Sequence, residues 1–478
     1  MAKTNEIIGR IREQEMLSRC INSNKSELIA VYGRRRVGKT FLIKKYFHEE
    51  FDFYISGIYG ISNAEQLERF AYQLSTFTKK YTQKPKNWFE AFDMLKAYLM
   101  ECKGRKIIVF IDELPWFDTP KSNFIRALES FWNMWASSQK GIKMIVCGSS
   151  TTWIINKLLG DKGGLHNRVT CRIYLKPFTL AETESFLNAR KIKWNRQLIM
   201  QGYMALGGIP YYWEMVDGQQ SPQQNIDRLF FEDNAELDME YDFMMRSLFN
   251  DSAAYQRVVV LLSKKMKGMT RQEIVNSLKI SDNGTLTTIL DNLCNCDIIR
   301  KYSSYGKRLR DVLYQLTDLY SLFYLRFVKD NNVHNPRFFT EMKDQQRSNW
   351  YGYAFEQVCL RHVEQLKHAI GISGVSCNIC SWSKIADNSA PGTQIDLLIE
   401  RADGIINICE MKYSDKKYEI SSSYRTTLEN RISIFRESAN SDQTIHLTMV
   451  TSHGLKENKH SHIVDSQVTI DDLFWSEI

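Results

Sequence analysis

No stretch of this chain is apolar over the length a membrane span requires, so a transmembrane helix is excluded as its organising feature. Its start, Met1-Ala2-Lys3-Thr4-Asn5-Glu6, lacks the basic-then-apolar run of a secretory leader. The ten cysteines are scattered and fall into no disulfide framework, so reduced thiols are expected. Cys377 and Cys380 form a C-x-x-C pair, but no second pair follows at zinc-ribbon spacing. Charge of one sign is barely in excess. The net +8 permits nucleic-acid binding without arguing for it. These absences lead us to expect a cytoplasmic protein with no membrane partner. At 478 residues the chain exceeds a single core, and roughly two to four domains are expected.

What is present is first a phosphate-binding pattern. Gly33-Arg34-Arg35-Arg36-Val37-Gly38-Lys39-Thr40 fits G-x-x-x-x-G-K-[ST] in full. The apolar run Leu28–Tyr32 before it reads as a buried strand, and Phe41–Phe47 after it as an amphipathic helix. A strand feeding a loop at a helix N-terminus aims backbone N–H groups at an anion. Lys39 then reaches the β and γ phosphates and Thr40 holds Mg²⁺. The implied ligands are ATP and Mg²⁺.

Lys106–Glu113 reads as a second apolar strand, ending in two carboxylates. Asp112 is placed to hold Mg²⁺ and Glu113 to polarise the attacking water, which implies hydrolysis beyond binding. A third strand, Lys143–Cys147, ends at Gly148-Ser149-Ser150. Ser149 reads either as a sensor of the γ-phosphate or as a plain strand-end turn. In Leu165–Arg172, Arg168 reads either as a finger on a neighbouring subunit's nucleotide or as a solvated loop charge. Arg172 alternates along a strand, Arg172–Leu175, and is the weaker candidate.

Six signatures come in one order: Gly9-Arg10 ahead of Glu13, GRRRVGKT, FIDELPW, CGSS, LKPF at 175–178, and Gly207-Gly208-Ile209-Pro210-Tyr211. Over roughly residues 6–240 this resembles the archaeal-type ATPase family of the AAA+/STAND assemblage. The resemblance implies that Gly9 and Arg10 border the adenine pocket. It also places the Gly-Gly-x-Pro turn in a helical lid, and it allows a homo-oligomer formed on ATP binding. One departure is His166-Asn167 where the family has Tyr-Gly, which weakens the finger role of Arg168.

From Asp251 the pattern changes. Helices are expected over 254–262, 271–278 and 285–294, with Thr270 and Glu273 at capping-box spacing. Runs 297–302 and 311–316 read as a hairpin whose tip carries Lys307, Arg308 and Arg310. Three helices and a basic hairpin make a winged helix-turn-helix. Its wing can lie on phosphates, but Thr285, Thr287, Thr288 and Asn292 read bases poorly. DNA contact and an interdomain spacer both remain open. Tyr320–Phe327 reads as an aromatic core helix, and 330–349 as a linker with a short helix.

In the last third, Trp350–Leu360 reads as an amphipathic helix carrying Glu356. Gln394–Ile399 and Ile405–Lys412 read as antiparallel strands joined at Gly404. Alternation puts Glu410 and Lys412 on one face, and Asp396 meets them from the neighbouring strand. Asp396, Glu410 and Glu356 are candidate metal ligands, and Lys412 a group that orients water or favours developing charge. Arg425 and Arg431 on the following helix read either as phosphate contacts or, by preference, as a solvated helix face, and His453, His460 and His462 read as surface residues before ligands. The set resembles the restriction-endonuclease-like, PD-(D/E)xK superfamily over roughly 345–470, with Ile395 in place of its proline. Relatives in fused ATPases include active and inert forms. The expected fold is α/β: an ATPase core (1–175), a lid (176–245), a winged helix-turn-helix (246–330) and a nuclease-like domain (345–478). ATP and DNA are the expected partners.

Overall fold

Five apolar runs pair only in parallel, because each return passes through helical connections and leaves both sheet faces to be covered. They are β1 (Glu27–Tyr32), β2 (Phe53–Ser56), β3 (Ile107–Asp112), β4 (Ile142–Gly148) and β5 (Cys171–Tyr174). Their order is β2-β3-β4-β1-β5. All five carboxyl ends therefore lie along one edge, where ligands bind in open α/β sheets. The computed structural model describes residues 6–102, 106–160, 165, 167–249, 251–306, 312–331, 335–384, 386, 392–439 and 442–476. The chain divides into two compact units, one of Met1–Pro177 with Arg246–Asn250, the other of Phe178–Met245 with Asp251–Ile478. Among the described residues no helix is long and apolar enough to cross a membrane.

The first unit is filled by aromatic rings. Phe53, Phe70, Trp88, Phe92, Phe117 and Phe124 are buried on one face of the sheet. Trp88 meets Phe117 and Phe124 edge-on, at 5.3 and 4.8 Å between centroids. Edge-on contact aligns ring edge with ring face and adds to simple burial.

The second unit contains an eight-stranded sheet. Its strands are β6 (Met269–Thr270), β7 (Ile299–Ser304), β8 (Leu313–Leu316), β9 (Cys377–Lys384), β10 (Thr393–Arg401), β11 (Ile405–Lys412), β12 (Thr444–Thr451) and β13 (Ser466–Val468). The order is β13-β12-β11-β10-β9-β7-β8-β6. β10 pairs antiparallel with β11, Leu397 opposite Cys409, as the alternation requires. The expected helices appear as Ser252–Ser263, Arg271–Leu278 and Gly284–Asn295, and the Thr270–Glu273 capping box is formed. The β7–β8 hairpin is not a free projection. Ser303 and Ser304 of β7 pair in parallel with Cys380 and Ser381 of β9, so the helical segment and the C-terminal strands share one sheet. The tip residues Lys307, Arg308 and Arg310 lie outside the described residues, as does His166.

The stretch read as a linker is instead docked. Asp227 accepts the backbone N–H of Phe339 (2.7 Å) and of Thr340 (3.0 Å). Phe339 is fully buried against Phe323, Phe327 and Tyr351. From Asp344 the chain is already in the long helix Asp344–Arg361. The polar composition concealed two anchors, Phe339 and Met342. The aromatic stripe is core: Tyr320, Phe323, Tyr324 and Phe327 are all buried.

His362, at the end of that long helix, caps another. Its Nε2 accepts the N–H of Leu180 (3.2 Å), the first residue of the helix Leu180–Ala189. Its Nδ1 lies 2.8 Å from the Val358 carbonyl, which fixes the proton on Nδ1. Burial lowers this imidazole from its usual range to about 4. The unfolded chain takes up the proton first as pH falls, so stability present above the unfolded value drains away between about 6.5 and 4. Between pH 7 and pH 5 this unit should lose about 2 kcal/mol. His362→Gln keeps an acceptor and removes the titration. Its denaturation midpoint should move less over that pH range than that of the unaltered chain, and an equal shift in both would contradict the assignment.

Candidate functional site

At the carboxyl edge of the first sheet, β1 delivers the chain into 33–38 and the helix Lys39–Tyr46 leads it away. Two glycines make the loop possible. A Cβ on Gly33 would lie 2.3 Å from the Leu175 carbonyl oxygen. Gly38 stands at φ 92°, with open space where a Cβ would point. Only glycine takes that conformation cheaply and lets a ligand approach the backbone closely. Lys39 Nζ donates to the carbonyls of Gly33 (2.9 Å) and Arg34 (2.8 Å), which folds the ammonium over the loop. Arg34 and Val37 are buried, Arg35 is exposed and Arg36 half-buried at φ 69°. The buried Arg34 and Val37 side chains therefore serve the loop's shape, and a loop of this form can turn its N–H groups toward an anion.

The Thr40 hydroxyl donates to Asp112 Oδ2 at 2.8 Å. A hydroxyl and a carboxylate in contact are the hard-oxygen donors that suit Mg²⁺. Burial raises the Asp112 carboxyl above its usual range, against the pull of the Thr40 hydrogen bond. Glu113 takes a left-handed backbone conformation (φ 46°) at the end of β3. Its Oε2 accepts from the Ser149 N–H (3.1 Å) and hydroxyl (2.8 Å). Ser149, at the end of β4, therefore holds the carboxylate directly. Arg10, left-handed at φ 55°, donates to the Val37 carbonyl (3.2 Å), which sets Gly9 and Arg10 beside the loop. Arg168 is exposed, as is Arg172 on β5.

The second unit brings together the other set. Glu356, Asp396, Glu410 and Lys412 line one cavity of about 780 Å³. Glu356 comes from the long helix, Asp396 from β10, and Glu410 and Lys412 from β11. Burial, with Asp396 and Glu410 nearby, raises the Glu356 carboxyl to about 8. Asp396 is also raised, chiefly by burial, and accepts a hydrogen bond from Gln394. Glu410 is lowered, because its burial is outweighed by Lys412 and Arg431. Lys412 Nζ lies 2.8 Å from Glu410 Oε1, Arg431 pairs with Oε2, and the Tyr424 hydroxyl donates to Oε1 at 2.6 Å.

Arg431 is thus not on a solvated face; the helix Ser422–Ala439 turns it toward Glu410. Arg425, by contrast, pairs with Glu429 on the helix surface. Tyr424 has no place in the sequence-based site and Arg431 figures there only as a solvated helix residue, although their spacing of seven puts them on one helical face above the strand. Among the described residues, no three His, Cys, Asp or Glu side chains stand together as a metal cage. The donors are chemically of the kind that takes Mg²⁺ or Mn²⁺. In this arrangement two cations already balance Glu410.

Residues 8–216 match the family described as an ATPase domain predominantly from Archaea. An uncharacterized protein of Methanocaldococcus jannaschii is 25% identical over 415 residues, 86% of this chain and 88% of that protein. An uncharacterized ATP-binding protein of the same organism is 59% identical over 39 residues, 8% of this chain and 66% of that one. A Walker-type ATPase of Pyrococcus abyssi aligns in structure at a TM-score of 0.50 and 18% identity, covering 68% of this chain and 97% of that one. At that identity the likeness concerns the fold. Residues 8–216 are accordingly a P-loop ATPase domain of archaeal type.

Proposed function

We propose that this protein is a Mg²⁺-dependent ATPase whose nucleotide state governs a C-terminal restriction-endonuclease-like domain acting on DNA. The reading takes 1–175 as the ATPase core, 176–245 as its lid, 246–330 as a winged helix-turn-helix and 345–478 as the nuclease-like domain. The observation that carries it is the meeting of Glu356, Asp396, Glu410 and Lys412 in one cavity.

In the ATPase core, Thr40 and Asp112 would hold Mg²⁺, which when bound would neutralise charge gathering on the phosphates. Lys39 supplies the cation for the β and γ phosphates. Glu113 takes a proton from the attacking water, and Ser149 keeps its carboxylate in place. In the C-terminal cavity Asp396 and Glu410, together with Glu356, would hold a divalent cation. When bound, a divalent ion there would supply the Lewis acidity that eases ionisation of water. Lys412 favours the negative charge that grows on the phosphodiester.

A second reading is favoured by the pairing of Glu410 with Lys412, Arg431 and Tyr424. Held that way, the domain is an inert binding module and the chain a regulatory switch of STAND type. The decisive experiment incubates full-length protein with linear, nicked and single-stranded DNA in Mg²⁺ or Mn²⁺, with and without ATP. Metal-dependent cutting supports the enzyme; no product under any condition leaves the switch.

Arg168 is assigned to a neighbouring subunit's nucleotide. Its exposure, with the fixed backbone bond of its N–H to the Leu165 carbonyl (2.9 Å), suits a group that acts outward. Arg168→Ala should lower hydrolysis by about tenfold or more while ATP affinity holds. Mixing it with Lys39→Ala protein should restore part of the rate. A chain that stays monomeric in saturating ATP and hydrolyses normally would remove this role.

A further inference from the structure

Residues 178–245, read from the sequence as a lid of the ATPase, fall in the second compact unit with the C-terminal strands. Polar side chains build them into it. Arg196 pairs with Glu184 (2.8 Å) and with Asp471 (3.1 Å), and its guanidinium lies 4.9 Å from the centre of the Phe474 ring. In the same helix, Arg196–Leu206, Gln197 Nε2 donates to the Tyr413 hydroxyl at 2.6 Å and Gln201 Nε2 donates to it at 3.2 Å. Gln223 Nε2 donates to Gln201 Oε1 (3.1 Å) and to the Tyr351 hydroxyl (3.2 Å). Tyr413 directly follows Lys412, at the end of β11. Its ring packs on Tyr351 and Phe355, at 5.3 and 5.7 Å between centroids, and both belong to the helix that carries Glu356. One tyrosine thus stands between the two elements that bring Glu356, Glu410 and Lys412 to the cavity, which Lys267 and Gln315 also line.

Along the chain, 178–245 begins next to a contact of the phosphate loop. The Leu175 N–H donates to the Tyr32 carbonyl (2.8 Å), and the Leu175 carbonyl lies against Gly33, where a Cβ would meet its oxygen at 2.3 Å. Only Lys176 and Pro177 separate Leu175 from Phe178, and the fixed φ of proline stiffens that step. Phe178 is held through its backbone. Its N–H donates to the Gly208 carbonyl (2.6 Å), and its carbonyl accepts from the Tyr203 hydroxyl (2.6 Å) of the helix that holds Tyr413. Packed and hydrogen-bonded groups of this kind carry coupling between sites when the elements they join shift together. We infer that Tyr413 couples the nucleotide site to the C-terminal cavity: Gln197 and Gln201 pass a displacement of 178–245 to β11, and so to Glu410 and Lys412. Tyr413 is here a positioning residue, which acts through the strand it ends and the helix it packs on. The inference rests on the proposed function for what the cavity does, and on these contacts alone for the coupling.

The test measures backbone hydrogen exchange by mass spectrometry in full-length protein, with and without a saturating non-hydrolysable ATP analogue and Mg²⁺. In the unaltered chain the nucleotide should change exchange by about fivefold or more in 196–206 and in 405–413, the low end of coupling between distant sites. Tyr413→Phe keeps the ring against Tyr351 and Phe355 and removes the hydroxyl that both glutamines hold. It should keep the response in 196–206 and lose that in 405–413. Gln197→Ala combined with Gln201→Ala should lose it equally, and adding Tyr413→Phe should lose no more, as expected of groups that act as one link. No nucleotide response at 405–413 in the unaltered chain overturns the inference. So does a full response there in Tyr413→Phe or in the glutamine pair, or one that survives in Lys39→Ala. A response at 405–413 without cutting of DNA in Mg²⁺ or Mn²⁺ would retire the nuclease reading and leave the coupling standing. Cutting of DNA with no response at 405–413 would do the reverse.

Discussion

Glu113→Gln should bind ATP as the unaltered chain does and hydrolyse it about a hundredfold more slowly or worse. The geometry makes this a clean substitution. Glu113 Oε2 accepts both the N–H and the hydroxyl of Ser149, and an amide oxygen can accept the same two bonds. The side chain keeps its place and loses only the negative charge that draws a proton from water. Lys39→Ala should behave in the opposite way. It removes the cation that rests on the Gly33 and Arg34 carbonyls and that the phosphates are placed to claim. Binding itself should then fail, and turnover with it. Equilibrium binding of a fluorescent nucleotide separates the two variants, and phosphate release measures the rate. Hydrolysis by Glu113→Gln at the unaltered rate would falsify the assignment of the water-polarising role.

Much of the ATPase region is legible in one sequence because its chemistry is local. Gly33, Gly38, Lys39 and Thr40 fall within one eight-residue run, and each is demanded by backbone shape or by charge. The strands around them are unbroken apolar runs, as a sheet covered on both faces requires. The contact of Thr40 with Asp112 spans 72 positions, yet it follows once both strands end at one edge. Ser149 was recognised from its place after a strand, but its partnership with Glu113 was not. Sequence marks where a strand stops without showing which neighbour it stops beside.

The C-terminal set was legible for a different reason. Alternation along β11 separates Glu410 and Lys412 from Cys409 and Met411, and Gly404 fixes the antiparallel return from β10. What escaped were the groups that arrive from other elements. Lys267 and Gln315 lie more than eighty positions before Asp396 in the chain's own numbering. They reach the cavity because β7 pairs with β9, and no periodicity in either strand names its partner across a sheet. Arg431 was read as solvated because a basic residue on a polar helix normally is. Its turn toward Glu410 follows from the buried carboxylate, which would cost several kcal/mol if left unpaired. The linker reading failed where two apolar anchors, Phe339 and Met342, stood among polar neighbours.

Asp396→Ala should lose divalent-metal binding in the C-terminal cavity and all metal-dependent cutting of DNA, a fall of about a hundredfold or more. Lys412→Ala should lose the cutting and keep the metal. The contrast follows from what each group touches. Asp396 is a half-buried carboxylate that accepts a hydrogen bond from Gln394, so its removal takes a hard-oxygen donor out of the cavity. Lys412 is a cation on Glu410, and without it Arg431 and Tyr424 still hold that carboxylate in place. Its loss therefore removes stabilisation of charge growing on the phosphodiester and leaves the donors standing. Arg431→Ala adds a third arm. It takes one of two cations away from Glu410, so metal affinity should rise, because the incoming ion no longer competes with a guanidinium. ATP hydrolysis in the absence of DNA should be unchanged in all three, since the groups assigned to that site are contributed by residues 9–168. Titration calorimetry with Mn²⁺ reads the metal, and product formation on labelled DNA reads the cut. If Asp396→Ala cuts as well as the unaltered chain, the carboxylates are not the reacting centre. Metal affinity that rises in Arg431→Ala, with no cutting by any variant or by the unaltered chain, would mark the cavity as a cation-gated binding site instead of a nuclease.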